Sequence, residues 1–149
     1  MDQKLRVLAD YLLTCGGVSD VNPRNIDAKA LPHLFILTIE RNAEGKLEGL
    51  RVRFTGTALD SAFQRKLVGS RLEDHVHGPR ASDVLAAFHD CAETGRARWM
   101  RQVVHLEARS PRFVEGVAIR LTPERLYGGL IVGQLAKEED AGFESADLS

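Results

Sequence analysis

The stretch from Leu50 to Leu72 constrains the fold most, because a strand pattern runs into a helix pattern across one glycine. Its first residues, LRVRFT, alternate between apolar and polar, which is the period of a strand with one buried face. Gly56 ends the alternation. Thr57 can then cap a helix whose apolar residues recur at helical spacing and which Gly69 ends. The strand and the helix must therefore bury their apolar sides in the same core.

Similar patterns along the rest of the chain predict an α+β domain. A broad apolar stripe near the N-terminus and another before Gly95 each indicate a helix, and the Asn42–Lys46 loop indicates a hairpin. Strand runs separated by a helical block are typical of an antiparallel sheet with helices beside it. The predicted strands lie near residues 34–40, 50–56, 97–108, 113–121 and 126–136, and the long predicted helix runs from residue 79 or 81 to 94.

Composition limits the classes of protein to which the chain can belong. Its 149 residues are 44% apolar and 28% charged, which is typical of one globular domain. A net charge of −1 argues against binding to a nucleic-acid backbone. There is no apolar run of the roughly 20 residues that a membrane span needs, and no secretory signal. Two distant cysteines then favour free thiols and a cytoplasmic protein. Residues 137–149 are acidic and predict a disordered tail.

Four short segments, in this order and spacing, carry a resemblance to a known family. They are RNID at residues 24–27, LPHLFIL at 31–37, FTGTAL at 54–59 followed by Phe63 and by LVG at 67–69, and TG at 94–95. Gln64-Arg65-Lys66 departs from the Gly-Arg-Asp that the same family often has at this turn. Together they resemble a bacterial (alphaproteobacterial-type) single-domain PAS family, over roughly residues 20–136. The resemblance divides the chain into an N-terminal flanking helix at 1–17, a PAS-like domain at 20–136 and the acidic tail.

The resemblance implies both an architecture and a role. A PAS-like domain has a five-stranded antiparallel sheet with helices on one face, and here a flanking N-terminal helix. Such domains are sensory and regulatory modules of signal transduction that bind a small molecule, a partner protein or both. The alternative is an adaptor for dimerisation or protein interaction that binds no ligand, in which apolar residues simply fill the core. The residues expected to line a ligand cavity are Phe35, Val52, Phe54, Leu59, Phe63, Phe88, Val117 and Ile119.

The residues do not support haem or flavin, so the cofactor is left unknown. A haem-type PAS domain uses a histidine on the long helix, but His89 lies about a turn later than that position and flanks the apolar stripe. A flavin-photosensing relative needs a cysteine in an Asn-Cys-Arg-Phe-Leu-Gln run. This chain has Ala62-Phe63-Gln64-Arg65 there. Cys91 is expected to be a small core residue.

The sequence predicts neither a metal site nor catalysis. His75 and His77 form a pair without a third well-spaced ligand, which is a weak metal signal. Ser61 and Ser70 lack the Gly-x-Ser-x-Gly context of a nucleophile elbow. Gly128-Gly129 lacks the Lys-Ser/Thr of a phosphate-binding loop. We therefore expect that the chain is not an enzyme.

The N-terminal helix predicts self-association. The strand 34–39 is apolar on both faces, so one face needs a cover besides the domain's own helices. The stripe of the N-terminal helix is broader than one contact requires, and a helix that is apolar on more than one side tends to have two neighbours. A two-fold homodimer would supply the second. Its expected interface residues are Leu5, Leu8, Tyr11 and Leu12.

Overall fold

The computed structural model describes residues 1–15, 21–106, 111–135 and 142–148. Three α-helices and seven β-strands lie within these ranges. The helices are α1 (Gln3–Thr14), α2 (Thr57–Phe63) and α3 (Ala81–Thr94). The strands are β1 (Leu34–Arg41), β2 (Leu47–Thr55), β3 (Val76–His77), β4 (Arg98–Leu106), β5 (Pro111–Thr122), β6 (Arg125–Leu135) and β7 (Phe143–Asp147).

The strands form one antiparallel sheet in the order β2-β1-β6-β5-β4-β3, and β7 also pairs with β4. The five long strands correspond to the five predicted ones, so the predicted α+β class and antiparallel sheet are confirmed. The hairpin between β1 and β2 closes at Asn42–Lys46 as expected, with Asn42 N donating to Lys46 O over 2.8 Å. Strands β1, β6 and β5 form the centre of the sheet and are covered on both faces.

The prediction of a disordered acidic tail is wrong for Phe143–Asp147, which forms β7. This strand pairs with the edge of β4 from Arg98 to Gln102, and Leu148 N donates to Ala97 O over 2.8 Å. Phe143 packs against the core. An unpaired edge of β4 offers backbone hydrogen bonds to any extended segment, and composition does not report that opportunity. Residues 137–141 and 149 lie outside the described part of the chain.

Helix α2 is shorter than predicted and does not reach Gly69. Gly56 is its N-cap in place of Thr57, and Gln64 ends it in the left-handed conformation with φ of 54°. A left-handed residue just after a helix allows the last carbonyl groups to be satisfied locally. Leu67 therefore enters the core from a loop, and Gly69 lies in a turn with φ of 95°.

The loop after α2 lies along the free edge of β2. Gly69 N donates to Val52 O over 2.9 Å, and Val52 N donates to Ser70 O over 2.8 Å. Arg71 then forms an isolated bridge with Arg51. These bonds hold the loop against the sheet and position the side chains that follow it.

Helix α1 covers one face of the sheet, and α2 and α3 cover the other. Leu5, Leu8 and Leu12 are fully buried against the chain's own sheet, chiefly against β5 and β6. A Cβ at Gly129 would lie 2.6 Å from Leu8 Cδ1, so a glycine there allows the helix to approach closely. Helix α1 thus lies on the face of the sheet opposite to α2 and α3. Among the described residues, none of the helices has the length and apolar composition to cross a bilayer.

The burial of α1 corrects the proposed dimer interface. Leu5, Leu8 and Leu12 have no exposed surface to offer a second chain, and Tyr11 is partly buried. The sheet of the same chain already supplies the neighbour that the apolar stripe requires. The outward side of α1 carries the exposed residues Lys4, Arg6, Asp10 and Leu13. Self-association stays a prediction, and a contact through these leucines would require α1 to leave the sheet of its own chain.

Candidate functional site

A mostly apolar cavity of about 50 Å³ lies between the sheet and helices α2 and α3. Strands β1, β2, β4, β5 and β6 form its floor. The two helices and the segment from Leu67 to Val76 form its walls. Phe35 and Phe88 meet at its side with ring centroids 5.9 Å apart. The described lining residues are Phe35, Leu37, Val52, Thr55, Leu59, Phe63, Leu67, Leu72, His75, Val76, Val84, Phe88, Gln102, Val114 and Leu130.

Five of the eight residues predicted to line a cavity do so, and three do not. Those that line it are Phe35, Val52, Leu59, Phe63 and Phe88. The other three are Phe54, Val117 and Ile119, and each is displaced for an identifiable reason.

Phe54 is 40% exposed, because a β-bulge in β2 turns it to the other face of the sheet. Val52 pairs with Leu37, but Phe54 pairs with Ile36, so Arg53 is an extra residue in β2. A bulge of this kind interrupts the alternation of side chains. Thr55 consequently takes the cavity-facing position that the period-2 pattern assigns to Phe54.

Val117 and Ile119 are buried, but beneath α1 and not beside the cavity. Both residues lie on one face of β5, as the alternation predicts. That face is covered by α1, and not by α2 and α3. On β5 the neighbouring residues Val114 and Ala118 are the ones that face α2 and α3. Because β5 is covered on both faces, both sets of residues are apolar and the sequence pattern does not distinguish them.

His75 is buried at the wall of the cavity and joins a chain of hydrogen bonds. Arg65 Nη1 lies 3.2 Å from His75 Nδ1, and Ser70 Oγ lies 2.6 Å from His75 Nε2. An arginine only donates, so Nδ1 accepts from it and the ring N–H lies at Nε2. Nε2 then donates to Ser70 Oγ, and the Ser70 hydroxyl donates to Leu67 O over 2.5 Å. The chain of bonds attaches the loop to the cavity wall.

Ser70 Oγ and His75 Nε2 are as close as a catalytic nucleophile and its general base, but the proton between them lies on the wrong atom for catalysis. A general base must accept the hydroxyl proton at the nitrogen that faces it. Here Nε2 already carries a proton and the hydroxyl proton of Ser70 goes to Leu67 O. The residue on the other side of the imidazole is a cation, Arg65, where a triad places a carboxylate. In this arrangement the pair links the loop after α2 to the wall of the cavity.

Gln102 contributes an unpaired acceptor to the cavity. Its side chain is 3% exposed, and Oε1 has no hydrogen-bond partner among the described residues. Strand pairing places Gln102 between Val114 of β5 and Phe143 of β7. A buried polar atom without a partner is uncommon in a native fold and costs free energy. The packing of the described residues therefore leaves this oxygen without the partner that a buried amide normally has.

His89 lies outside the cavity. Its Nε2 atom is 2.7 Å from Glu73 Oε2, and Glu73 Oε1 accepts from Leu50 N over 3.0 Å. The pair links α3 to the loop and to β2. His77 is in β3, while the neighbouring His75 is committed to Arg65 and Ser70. In the described ranges, no three His, Cys, Asp or Glu side chains are grouped as metal ligands would be.

Cys91 is fully buried on α3, as a small core residue should be. Its thiol donates to Ala118 O over 3.4 Å. Burial raises the pKa of this thiol to about 12. The thiolate, which is the reactive form, is therefore rare at neutral pH.

A charged cluster lies at the edge of β2, away from the cavity. Arg51 and Arg71 both donate to Glu40, with nitrogen–oxygen distances of 3.0 Å from Arg51 Nη2 and Arg71 Nε. The hydrogen bond from Arg51 is the main reason why the pKa of Glu40 lies below its ordinary value, and the bond from Arg71 lowers this pKa further. The contact between Arg51 and Glu40 also raises the pKa of Arg51. The cluster clamps the loop after α2 onto the strand pair.

The polar residues of the cavity, which are Thr55, His75 and Gln102, are not among those that the sequence predicts to line it. The bulge brings Thr55 there, and the sequence singles out His75 only as a weak metal signal. One signal was available for Gln102. It lies two residues after the apolar Met100 in a strand, so it shares a face with a core residue.

Comparisons of this chain with protein-family models, with curated proteins and with solved structures found no match. The function proposed next therefore rests on the residues of the chain itself.

Proposed function

We propose that this chain is a PAS-type sensory module that binds a small molecule between its sheet and helices α2 and α3. The observation that carries the proposal is the mostly apolar cavity with a buried, unpaired acceptor at Gln102 Oε1. Protein interiors are close-packed, and their buried polar groups are nearly always bonded. A core that served only to hold an adaptor together would need neither the space nor the unpaired oxygen.

The architecture supports the same proposal. The sheet is antiparallel, two helices enclose the cavity on one face, and α1 flanks the other face. This arrangement is compatible with a PAS-like fold, whose ligands lie between the sheet and the short helices. The resemblance in sequence at residues 24–37 and 54–69 supports it independently.

Strands shared by both faces offer a route from the cavity to α1. On β5, Val114 lines the cavity while Val117 packs beneath α1. On β4, Gln102 faces the cavity while Trp99 Nε1 donates to Glu115 Oε2 over 2.5 Å. Glu115 Oε1 also accepts from Asp2 N, the N-cap of α1, over 3.0 Å. A ligand that displaces these strands would displace the start of α1, which supports a regulatory role.

Native mass spectrometry of the protein purified from its own cells tests the proposal. A sensory module should show a mass above that of the bare chain under native conditions, and the bare mass after denaturation. The adaptor alternative predicts the bare mass in both. A native mass equal to that of the bare chain, with no small molecule recovered by organic extraction, would contradict ligand binding.

A further inference from the structure

We infer that the ligand of this cavity is an uncharged, mainly apolar molecule that donates one hydrogen bond to Gln102 Oε1. The inference rests on the proposed function, because it names the chemical class of the ligand for the same site. Its starting point is the oxygen itself. Gln102 is 3% exposed, lines the cavity, and leaves Oε1 without a partner among the described residues. A group that points a hydroxyl or an N–H at this oxygen recovers the hydrogen bond lost on folding.

The other polar residues of the cavity are already committed to protein partners. The Thr55 hydroxyl donates to Asp60 Oδ1 over 2.7 Å. Both nitrogens of His75 are used, one by Arg65 and one by Ser70. Gln102 Oε1 is therefore the buried acceptor of the described lining that lacks a protein partner, and the ligand group that pairs with it must be a donor.

The lining excludes a charged ligand. None of its described residues is Asp, Glu, Lys or Arg, and the two ring nitrogens of His75 are occupied by Arg65 and Ser70. A charge buried in such surroundings would lack a counter-ion and would cost far more than one hydrogen bond returns. The remaining lining side chains are apolar and favour hydrocarbon contact.

The size of the cavity limits the part of the ligand that it encloses. The cavity of about 50 Å³ is several times smaller than the pockets that enclose whole drug-sized ligands. Ligand pockets for drug-sized molecules run from about 300 to 1,000 Å³. A small alcohol, or the hydroxyl-bearing end of a larger apolar molecule, matches this space.

Two isomers of one composition provide the test. Butan-1-ol and diethyl ether have the same atoms and nearly the same apolar volume, but only the alcohol donates a hydrogen bond. Each is titrated into the ¹⁵N-labelled full chain while the amide resonances of Phe88 and Val114, and the side-chain amide of Gln102, are followed. The wild type should bind butan-1-ol about fivefold more tightly than the ether. In Gln102→Met this ratio should fall to about one, while in the surface control Gln3→Met it should stay at about five.

Each other outcome overturns the inference in a distinguishable way. Equal affinities in the wild type would show that Gln102 does not select a donor, and a preference retained in Gln102→Met would show that another group does. Gln102→Leu repeats the test if the methionine variant does not fold. If neither isomer shifts the cavity resonances while native mass spectrometry reveals a ligand, the ligand class is wrong and the proposed function stands. If neither experiment reveals binding, both fail.

Discussion

Nη1 of Arg65 lies 3.2 Å from Nδ1 of His75, and this contact determines which nitrogen of the imidazole carries the proton. Because the guanidinium donates, Nδ1 is the acceptor and Nε2 faces Ser70 Oγ at 2.6 Å as the donor. The relationship links the loop after α2 to the wall of the cavity. It also removes His75 from any role as a base toward Ser70.

The first prediction is that His75 has its proton on Nε2 in the folded protein. Long-range ¹H–¹⁵N correlation spectra at mildly alkaline pH should show Nδ1 as unprotonated and Nε2 as protonated. Arg65→Leu should release Nδ1 and allow the tautomers to mix, while Arg53→Leu, on an exposed residue of β2, should leave His75 unchanged. A wild-type spectrum with the proton on Nδ1 would show that the hydrogen-bond chain runs in the opposite direction.

The second prediction is that Gln102→Met stabilises the protein without ligand. The substitution replaces a buried amide whose oxygen is unpaired with an apolar side chain of similar length. The free energy of unfolding should rise by about 1–2 kcal/mol, because the desolvation cost of the amide disappears. Urea denaturation measures the change, and Gln3→Met, at an exposed position, should stay within about 0.5 kcal/mol of the wild type. A loss of stability at Gln102 would mean that the amide has a partner in the free protein.

The third prediction compares two phenylalanines that the sequence pattern treats alike. Phe88 is buried beside Phe35, so Phe88→Ala should lower the free energy of unfolding by about 3 kcal/mol. Phe54 is 40% exposed on the edge strand, so Phe54→Ala should cost less than about 1 kcal/mol. Urea denaturation of the two variants measures both. Equal losses would contradict the bulge at Arg53.

The fourth prediction is that Cys91 resists alkylation in the native protein. A thiol whose pKa rises from 9.0 to about 12 has roughly a thousandfold less thiolate at a given pH, and Cys91 is also buried. Peptide mass mapping after iodoacetamide treatment should find Cys15, which is partly exposed, modified first. In urea the two cysteines should react at similar rates. Comparable native rates would show that the core around α3 opens readily.

The fifth prediction concerns acid sensitivity at the edge of β2. The folded pKa of Glu40 is below its unfolded value, so the ionised carboxylate contributes stability at pH values above about 4.5. That contribution is lost as the pH falls through the folded pKa, because the unfolded chain takes up the proton first.

Urea denaturation between pH 7 and pH 3 measures this effect. The difference in unfolding free energy between wild type and Glu40→Gln should be constant near neutral pH and shrink toward pH 3. High salt should reduce it, since the cluster is at the surface. Glu44→Gln, in the exposed hairpin loop, is the control and should show no such pH dependence. A difference that does not change with pH would place the stabilisation elsewhere.

Local patterns in the sequence determined the elements and the class of fold. Alternation predicted the long strands, and Gly95, which has φ of 76°, ends α3 where the sequence predicted the end of the helix. These features follow from steric and periodic rules that act over a few residues. For the same reason Phe35, Phe63 and Phe88 could be assigned to the interior without knowing what packs on them.

Tertiary structure decided which interior each residue enters. Arg53 forms a bulge only because the register between β1 and β2 gives it no partner on β1. As a result, the side chain of Phe54 turns away from the cavity and that of Thr55 faces it. Whether a β5 residue such as Val117 meets α1 or the cavity depends on which helix covers each face, and both faces are apolar. The oxygen of Gln102 lacks a partner only because strands and helices that are distant in the sequence surround it and exclude water. Register and burial depend on contacts between residues far apart in the chain, and local periodicity carries no information about them.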